Sequence, residues 1–549
     1  MGFHPGYLAR WIVAWSGSGV DMANPTPRVL VIGSGIVGTA LIQSLVSRGI
    51  DVVLFEKGRS YPFPPTELYQ REVLFEDYRS EDELLHPDMA LPSRFLTIEQ
   101  NKSYPHSLAS ERLMVLGGSA TRWSGITLRM NPTDFQTRSR FGFGVDWPIT
   151  YAELEPWYGK AEVLIGVSGT DEDNPFAPPR STPFPLPAFA LRPDDYFLGE
   201  GLSRAGLYLH TTPQARTSLA YDGRPECQNY GVCWVCPIGA RYSPVHHLKK
   251  AETTGRLTIH TEVSVRRVVP GPRPVLVWRG LNDKTDQEAS GDAIIVAAGA
   301  IESVRLLLLS QDGARPLGNH SGHLGKHLLL HHVWAGHLEY DRDLFPGQVG
   351  YFTGQSQQFV NPEGRGRKGG IKIELSTNLR QEWRKRGDGQ VSSGKDMLER
   401  MKVLIRRRPI NFHAESDDSE YKYVELGSGR DPFGDAFARV NYQSTEFDMA
   451  THQFARELMQ RVQVATGASH AQMDDADQFW SGAHHMGGCR MSVDPAEGVV
   501  DRFGEIHGCP GVFVLGGSTF PTSSPVNRTL TMVALALRTA DYLQARLLA

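Results

Sequence analysis

Arg28-Val29-Leu30-Val31-Ile32-Gly33-Ser34-Gly35-Ile36-Val37-Gly38 is followed, after a helical pattern from Thr39 to Arg48 and then Gly49-Ile50, by Asp51-Val52-Val53-Leu54-Phe55-Glu56. The run Val29 to Ile32 is short, apolar and rich in β-branched residues, as a buried parallel strand requires. Thr39 to Arg48 carries apolar residues at helical spacing, and Asp51 to Phe55 reads as a second strand. A G-x-G-x-x-G turn therefore falls between the strand and helix of a βαβ unit. Gly33 permits the tight turn, Gly35 lets the backbone approach a pyrophosphate, and Gly38 allows the helix to pack closely on the strand. The helix N-terminus offers unpaired N–H groups and the positive end of its dipole to phosphates. Glu56, at the end of the second strand, can accept hydrogen bonds from ribose hydroxyls. A bare G-x-G-x-x-G would be weak evidence, but strand, helix, second strand and terminal acid together predict a bound dinucleotide. They do not choose between FAD and NAD.

The chain has 549 residues, 40% hydrophobic and 21% charged, and a formal net charge of −4. That length is expected to split into at least two domains. The near-neutral balance provides no global field for nucleic acid, and Arg406-Arg407-Arg408 reads as a solvated surface run. No stretch reaches the roughly 18 consecutive apolar residues of a membrane helix. The apolar run Ala9 to Trp15 is too short and interrupted for a signal sequence, so residues 1–27 are read as an N-terminal extension. A cytoplasmic location is expected, with a periplasmic one if a partner subunit carries the chain out.

Further motifs lie far along the chain. Leu116-Gly117-Gly118-Ser119-Ala120-Thr121-Arg122-Trp123-Ser124-Gly125 is a second glycine cluster, and Asp146-Trp147-Pro148 opens a stretch ending at Trp157-Tyr158. Ile294 to Ser303 includes Ala297-Ala298-Gly299, and His484-His485-Met486-Gly487-Gly488-Cys489-Arg490-Met491 comes later. Phe520-Pro521-Thr522-Ser523-Ser524-Pro525-Val526-Asn527-Arg528-Thr529 lies near the end. In this order the motifs resemble those of the glucose–methanol–choline (GMC) oxidoreductases, from Arg28 to the C-terminus. The Asp146 to Tyr158 stretch and the Gly516-Gly517 pair are most similar to the sugar-oxidising branch: pyranose oxidases, glycoside 3-oxidases and bacterial FAD-dependent sugar dehydrogenases.

The resemblance implies an α/β fold, in which a Rossmann-like FAD-binding domain is interleaved with an antiparallel-sheet substrate domain. FAD-domain pieces are expected at 28–130, 217–330 and 482–549, and substrate-domain pieces at 131–216 and 331–481. The cofactor-binding set it implies is Gly33, Gly35, Gly38, Glu56, Gly117, Gly118, Thr121, Trp123, Ser124, Val265, Ala298, Gly517, Asn527 and Thr529. Relatives with covalent flavin carry a linking histidine where this chain has Arg122, so dissociable FAD is expected. The strand around Phe433 to Tyr442 is expected to bring the substrate sheet toward the flavin. Gly364 to Gly370 and Gly387 to Gly394 read as mobile loops.

Oxidising an alcohol requires a base for the hydroxyl proton and an acceptor for the hydride. A histidine with a pKa near 6.5 is largely neutral at working pH and suits the first role. The family pattern implies His484 as that base and Asn527 as the amide that holds the substrate oxygen. The family often has proline where this chain has Arg528, and His485, His331 and His332 are read as packing residues.

Cys227, Cys233 and Cys236 are three of only five cysteines. Thiolates this close, ending in Cys-Pro, are what an iron–sulfur cluster uses. The stretch resembles one that holds a [3Fe-4S] cluster in bacterial sugar dehydrogenases, with each interval different by a residue. A Cys233–Cys236 disulfide or buried thiols are the alternatives. Partners expected are a sugar or glycoside, dioxygen or another electron acceptor, and a small or cytochrome subunit. Oxidation of a choline-like or other non-sugar alcohol is the alternative enzymatic reading, and a non-catalytic flavoprotein or electron-transfer subunit is the alternative of another class.

Overall fold

The computed structural model describes residues 26–64, 98–101, 104, 106, 108, 111–228, 236–344, 353–375 and 394–549. Its first unit is the βαβ unit expected: β1 (Arg28–Ile32), α1 (Ile36–Val46) and β2 (Asp51–Phe55). β1 and β2 are parallel, with Val29 opposite Val52 and Ile32 opposite Phe55. Leu257–His260, Ala293–Val296 and Val512–Val514 join them in a five-stranded parallel sheet. Ala293–Val296 and Val512–Val514 are buried throughout, as continuous apolar runs in a parallel sheet must be. α1 is helical from Ile36, three residues earlier than its apolar spacing suggested, because the backbone enters the helix directly after Gly35. It packs on α2 (Pro244–Glu252) and α3 (Thr529–Leu547).

Close approach at the turn explains two glycines. A Cβ on Gly38 would stand 2.2 Å from the Gly33 carbonyl oxygen, so helix and turn could not keep their contact. A Cβ on Gly35 would meet nothing within 4 Å. Gly35 therefore serves open space in front of the helix, and Gly38 serves packing behind it.

The second unit is a six-stranded sheet with order His470–Met473, His332–Glu339, Arg407–Ala414, Ile371–Leu375, Gly354–Ser356 and His210–Thr211. Every neighbour pair is antiparallel. Ile371-Lys372-Ile373-Glu374-Leu375 alternates apolar and charged residues, yet all five are buried. Period-two alternation puts Lys372 and Glu374 on one face. Opposite them on the neighbouring strand stand His413 and Asn411. This face is a buried polar surface, and it covers the site described below. Leu329–Leu330 pairs with His485–Met486 and ties the two units together.

Two expectations are corrected. Ala436–Asn441 pairs with Tyr423–Arg430 and Ile98–Gln100 in a separate three-stranded sheet, packed on the helix Ala300–Leu309. It does not belong to the substrate sheet. Segment 364–370 is pinned in place: Arg365 is fully buried, 2.6 Å from Asp134 Oδ1 and 2.7 Å from Glu415 Oε1. Most of the 387–394 segment, and residues 1–25 of the N-terminal extension, lie outside the described residues. Among the described residues no helix is long and apolar enough to cross a membrane.

Gly38→Ala is expected to cost about 1–3 kcal/mol, the usual range for overpacking, and to lower the melting temperature. Gly35→Ala should leave the melting temperature of the ligand-free protein unchanged. Thermal unfolding of the two variants side by side checks this.

Candidate active site

A cavity of about 490 Å³ lies between the two units. Ile36, Ser119, Ala120, Arg122, Trp123, Ser124, Thr529 and Met532 line it from the nucleotide-binding side, and Glu374, Asn411 and His413 from the antiparallel sheet. His106, Glu111, Trp480, His484, His485, Asn527 and Arg528 also line it. Both residues expected to carry chemistry, His484 and Asn527, therefore face one space.

A tight turn positions His484. Gly482 and Ala483 both have left-handed φ, +64° and +56°. A Cβ on Gly482 would lie 2.9 Å from His484 Nδ1, so this turn needs glycine there. His484 Nδ1 is 2.9 Å from Nδ1 of His331, and His331 Nε2 is 3.0 Å from the Pro525 carbonyl oxygen. Burial, with Arg528, His413 and Lys372 nearby, holds the His484 imidazolium well below the ordinary histidine pKa. Burial and Arg528 do the same to His331. Both rings are neutral near pH 7, the state a base requires. His331 is thus a site residue and corrects the expectation that it only packs. His332 does pack, stacked on Trp334 with ring centroids 5.4 Å apart, and donor or acceptor to Tyr442 Oη at 2.9 Å.

Asn527 is oriented from behind. Lys372 Nζ donates to its Oδ1 at 2.7 Å and to Glu374 Oε2 at 2.7 Å. An ammonium only donates, so the amide oxygen must face Lys372 and the NH2 group is left for the cavity. Burial lowers the Lys372 pKa. For Glu374 burial acts upward, and Lys372 and His413 overcome it and hold the carboxyl ionised. The loop carrying Asn527 is fixed by Trp147 Nε1 donating to Thr522 Oγ1 at 2.8 Å and Ser524 Oγ donating to Asp134 Oδ2 at 2.7 Å. Arg528 Nη2 donates to Ser523 Oγ at 2.9 Å, while its Nε and Nη1 have no hydrogen-bond partner among the described residues. Burial pushes this guanidinium down to about 9.

His485, read as a packing residue, also lines the cavity. Its Nε2 is 2.8 Å from Glu111 Oε2, and that carboxylate also accepts from Tyr104 Oη and Ser481 Oγ.

The nucleotide end fits a dinucleotide. α1 has no side-chain cap at Gly35 and no acid in its first turn, which leaves its N–H groups for an anion. The open space at Gly35 is bounded by Gly118, where a Cβ would be 3.1 Å from Gly35 Cα. Gly117 N donates to Ser34 Oγ at 2.8 Å, joining the two glycine clusters. Glu56 accepts from Ser34 N at 2.9 Å and from Gly58 N at 2.7 Å, so it braces the turn from the position expected of a ribose ligand. Thr121 closes the short 3₁₀ helix Gly118–Thr121 through its own hydroxyl. Trp123 is anchored by Nε1 donating to the Tyr242 carbonyl at 2.8 Å. Ala298 lies against Gly33, and Gly517 lies against His485. Val265 lies outside the cavity wall, two residues beyond Val263, whose N–H donates to the Glu56 carbonyl.

Cys227 and Cys236 are half-buried, and Cys233 lies outside the described residues. Asp222, His246 and His247 converge nearby in sequence, with both His Nε2 atoms on Asp222 Oδ2 at 3.0 and 3.2 Å. Lys250 places its ammonium on the same carboxylate and already supplies the positive charge a metal would bring.

Residues 418–536 match the family profile described as GMC oxidoreductase. The chain is 28% identical to the fructose dehydrogenase large subunit of Gluconobacter japonicus, over 93% of this chain and 97% of that one. It is 25% identical to paromamine 6'-oxidase of Streptomyces fradiae, over 93% and 90% of the two chains. Its fold is similar to that of pyridoxine 4-oxidase from Mesorbium loti, with a TM-score of 0.63, 16% identity and coverage of 94% and 99%. Residues 418–536 are a GMC oxidoreductase domain. The family uses FAD, and Ile36 of the first glycine motif and Ser119 and Ala120 of the second line the same cavity as His484 and Asn527.

The residues that sequence reading passed over are Lys372, Glu374, His413, His331 and Glu111. Only the charged alternation at 371–375 signalled any of them.

Removing Lys372 would leave Glu374 a buried unpaired charge. Lys372→Met should cost about 3–5 kcal/mol, and Lys372→Met combined with Glu374→Leu should recover most of it, as read by chemical denaturation. Stability should also depend on pH. His210 and His332 are pushed by burial to about 4, and His484 and His331 are lowered too. Because the folded pKa values lie below 6.5, these groups stabilise the fold above pH 6.5, and that contribution is lost as pH falls toward 4. Denaturation midpoints at pH 7 and pH 4.5 should differ in that direction.

Proposed function

We propose that this GMC oxidoreductase oxidises a secondary hydroxyl of a sugar or glycoside to a ketone, or its anomeric carbon. The observation that carries the reading is the convergence of a neutral histidine, His484, and an amide NH2, from Asn527, on one cavity. FAD bound by this fold supplies the acceptor for the hydride of the carbinol carbon. His484 takes the hydroxyl proton. Asn527 donates to the same oxygen and holds the negative charge that develops there, the kind of donor worth about 10²–10³ in rate. The buried sheet face shields one side of the reacting carbon from water.

The wall favours a polyhydroxylated substrate. Asn411, His413, Asn527, Glu374, Glu111 and His485 give it many hydrogen-bonding groups. A choline-like cation would need an unpaired carboxylate or an aromatic cage. Both acids in the wall already have partners, Glu374 in an ion pair with Lys372 and Glu111 in a hydrogen bond with His485. The fructose dehydrogenase and paromamine oxidase relatives, as named, support a sugar-type substrate. That relative is a large subunit, and a gluconate 2-dehydrogenase flavoprotein is another relative, which supports a partner subunit for this chain.

FAD is proposed to be noncovalent, since Arg122 cannot form the histidine linkage. Cys227, Cys233 and Cys236 are proposed as ligands of a [3Fe-4S] cluster that passes electrons to an acceptor other than dioxygen. Iron and acid-labile sulfide in the purified protein test that; their absence sends the electrons to dioxygen or a diffusible acceptor. A cytoplasmic site is proposed, or a periplasmic one if the partner exports the chain.

Anaerobic addition of fructose, glucose or a glycoside should bleach the flavin band. His484→Ala and Asn527→Ala should keep FAD bound and lose at least about 10²-fold in bleaching rate. Bleaching by a non-sugar alcohol alone would overturn the substrate class and keep the mechanism.

A further inference from the structure

The order of hydrogen bonds behind His484 decides which of its nitrogens carries a proton. A carbonyl oxygen only accepts, so His331 Nε2, 3.0 Å from the Pro525 carbonyl, must carry a hydrogen. A neutral imidazole has one N–H, so His331 Nδ1 is a bare lone pair. That lone pair lies 2.9 Å from His484 Nδ1, which must then be the donor. His484 consequently has its proton on Nδ1 and its lone pair on Nε2. A free imidazole prefers the reverse arrangement, with the proton on Nε2.

We propose that His331 is a positioning residue that sets the tautomer of His484, through the relay from His484 Nδ1–H to His331 and from His331 Nε2–H to the Pro525 carbonyl. This rests on the reading of His484 as the base. In the step that follows, the substrate O–H bond breaks and a bond from hydrogen to His484 Nε2 forms. The carbinol hydrogen would leave with the C–H bonding pair as hydride, which bound FAD would accept, and the C=O double bond would close. His484 then carries the positive charge, with its Nδ1–H still on the His331 lone pair.

The surroundings keep the relay neutral before that step. The groups facing His331 are Arg528 from the 520–528 loop, His484, and His413 and Lys372 from the antiparallel sheet. His413 presents its ring edge-on at 5.2 Å between centroids. Glu374, the nearest acid named on that sheet face, is bound to Lys372. None of these favours a proton on His331 Nδ1, and His331 itself is fully buried, so water does not compete for its lone pair. Buried polar groups are hydrogen-bonded, and here the bonds admit one proton arrangement.

The test uses the FAD-loaded enzyme, the sugar that bleaches it, and stopped-flow flavin reduction without oxygen. His331→Leu removes the acceptor. It should reduce the flavin on the order of 10²–10⁴-fold more slowly, with sugar affinity changed less than about threefold and FAD retained. His331→Asn offers an amide oxygen to His484 Nδ1–H and should recover most of the rate. A His331→Leu enzyme that reduces at the wild-type rate, or a His331→Asn enzyme as slow as His331→Leu, would overturn the relay. Nitrogen NMR of ¹⁵N-histidine enzyme, with His484 identified by the signal missing in His484→Ala, supplies a readout independent of any His331 variant. It should show a protonated Nδ1 and a bare Nε2, and a protonated Nε2 would overturn the proposal. His484→Ala separates the two readings: if it still bleaches, the base assignment fails, and if it does not while His331→Leu does, only the relay fails.

Discussion

Leu330 and His485 face one another across a two-residue antiparallel bridge, and the next residues beyond that end of the bridge are His331 and His484. The bridge is one link between the parallel sheet unit and the antiparallel sheet. One strand runs from Leu329–Leu330 directly into His332–Glu339 of the substrate sheet, and the other runs from the Gly482–Ala483 turn. Each has little freedom. His484 therefore reaches His331 because two backbones are paired, and the side chains then complete a contact that the ladder has already framed. Loss of this bridge would separate the base from its partner and open the cavity wall.

The second constraint is electrostatic. Lys372, Glu374, His413, Arg528 and Asn527 are all buried, around the cavity that His484 lines. Burying charges without partners costs several kcal/mol each. The structure meets this by pairing Lys372 with Glu374 and by keeping the histidines neutral. Arg528 is the exception, with two guanidinium nitrogens lacking hydrogen-bond partners among the described residues. Its charge acts on His484, His331 and His413 alike and opposes their protonation. A base kept neutral by burial and by a neighbouring cation, and an amide held by a buried ammonium, give the two wall residues opposite hydrogen-bonding roles.

The nucleotide-binding half was legible because its information is local. The strand, the glycine spacing and the acid at Glu56 all lie within thirty residues, and each glycine has a steric reason that sequence position alone conveys. His484 and Asn527 were legible through motif resemblance, and both line the cavity. The support behind them was not legible. Lys372 and His413 become neighbours only through the register of two strands some forty residues apart, and His331 meets His484 across 153 positions. Glu56 was read as a ribose acceptor, while the fold also turns it onto Ser34 and Gly58. Arg365 looked like part of a mobile glycine-rich loop because nothing in the local sequence points to Asp134 or Glu415, its buried partners.

The central claim is that this cavity breaks a carbinol C–H bond while a wall residue accepts the hydroxyl proton. Its most direct test compares the anaerobic rate of flavin bleaching by a sugar with that by the same sugar deuterated at the oxidised carbon. The account predicts a clearly slower rate with the deuterated sugar, since the C–H bond is broken in the step that bleaches the flavin. Equal bleaching by both sugars, at saturating concentration and under single-turnover conditions, would contradict it.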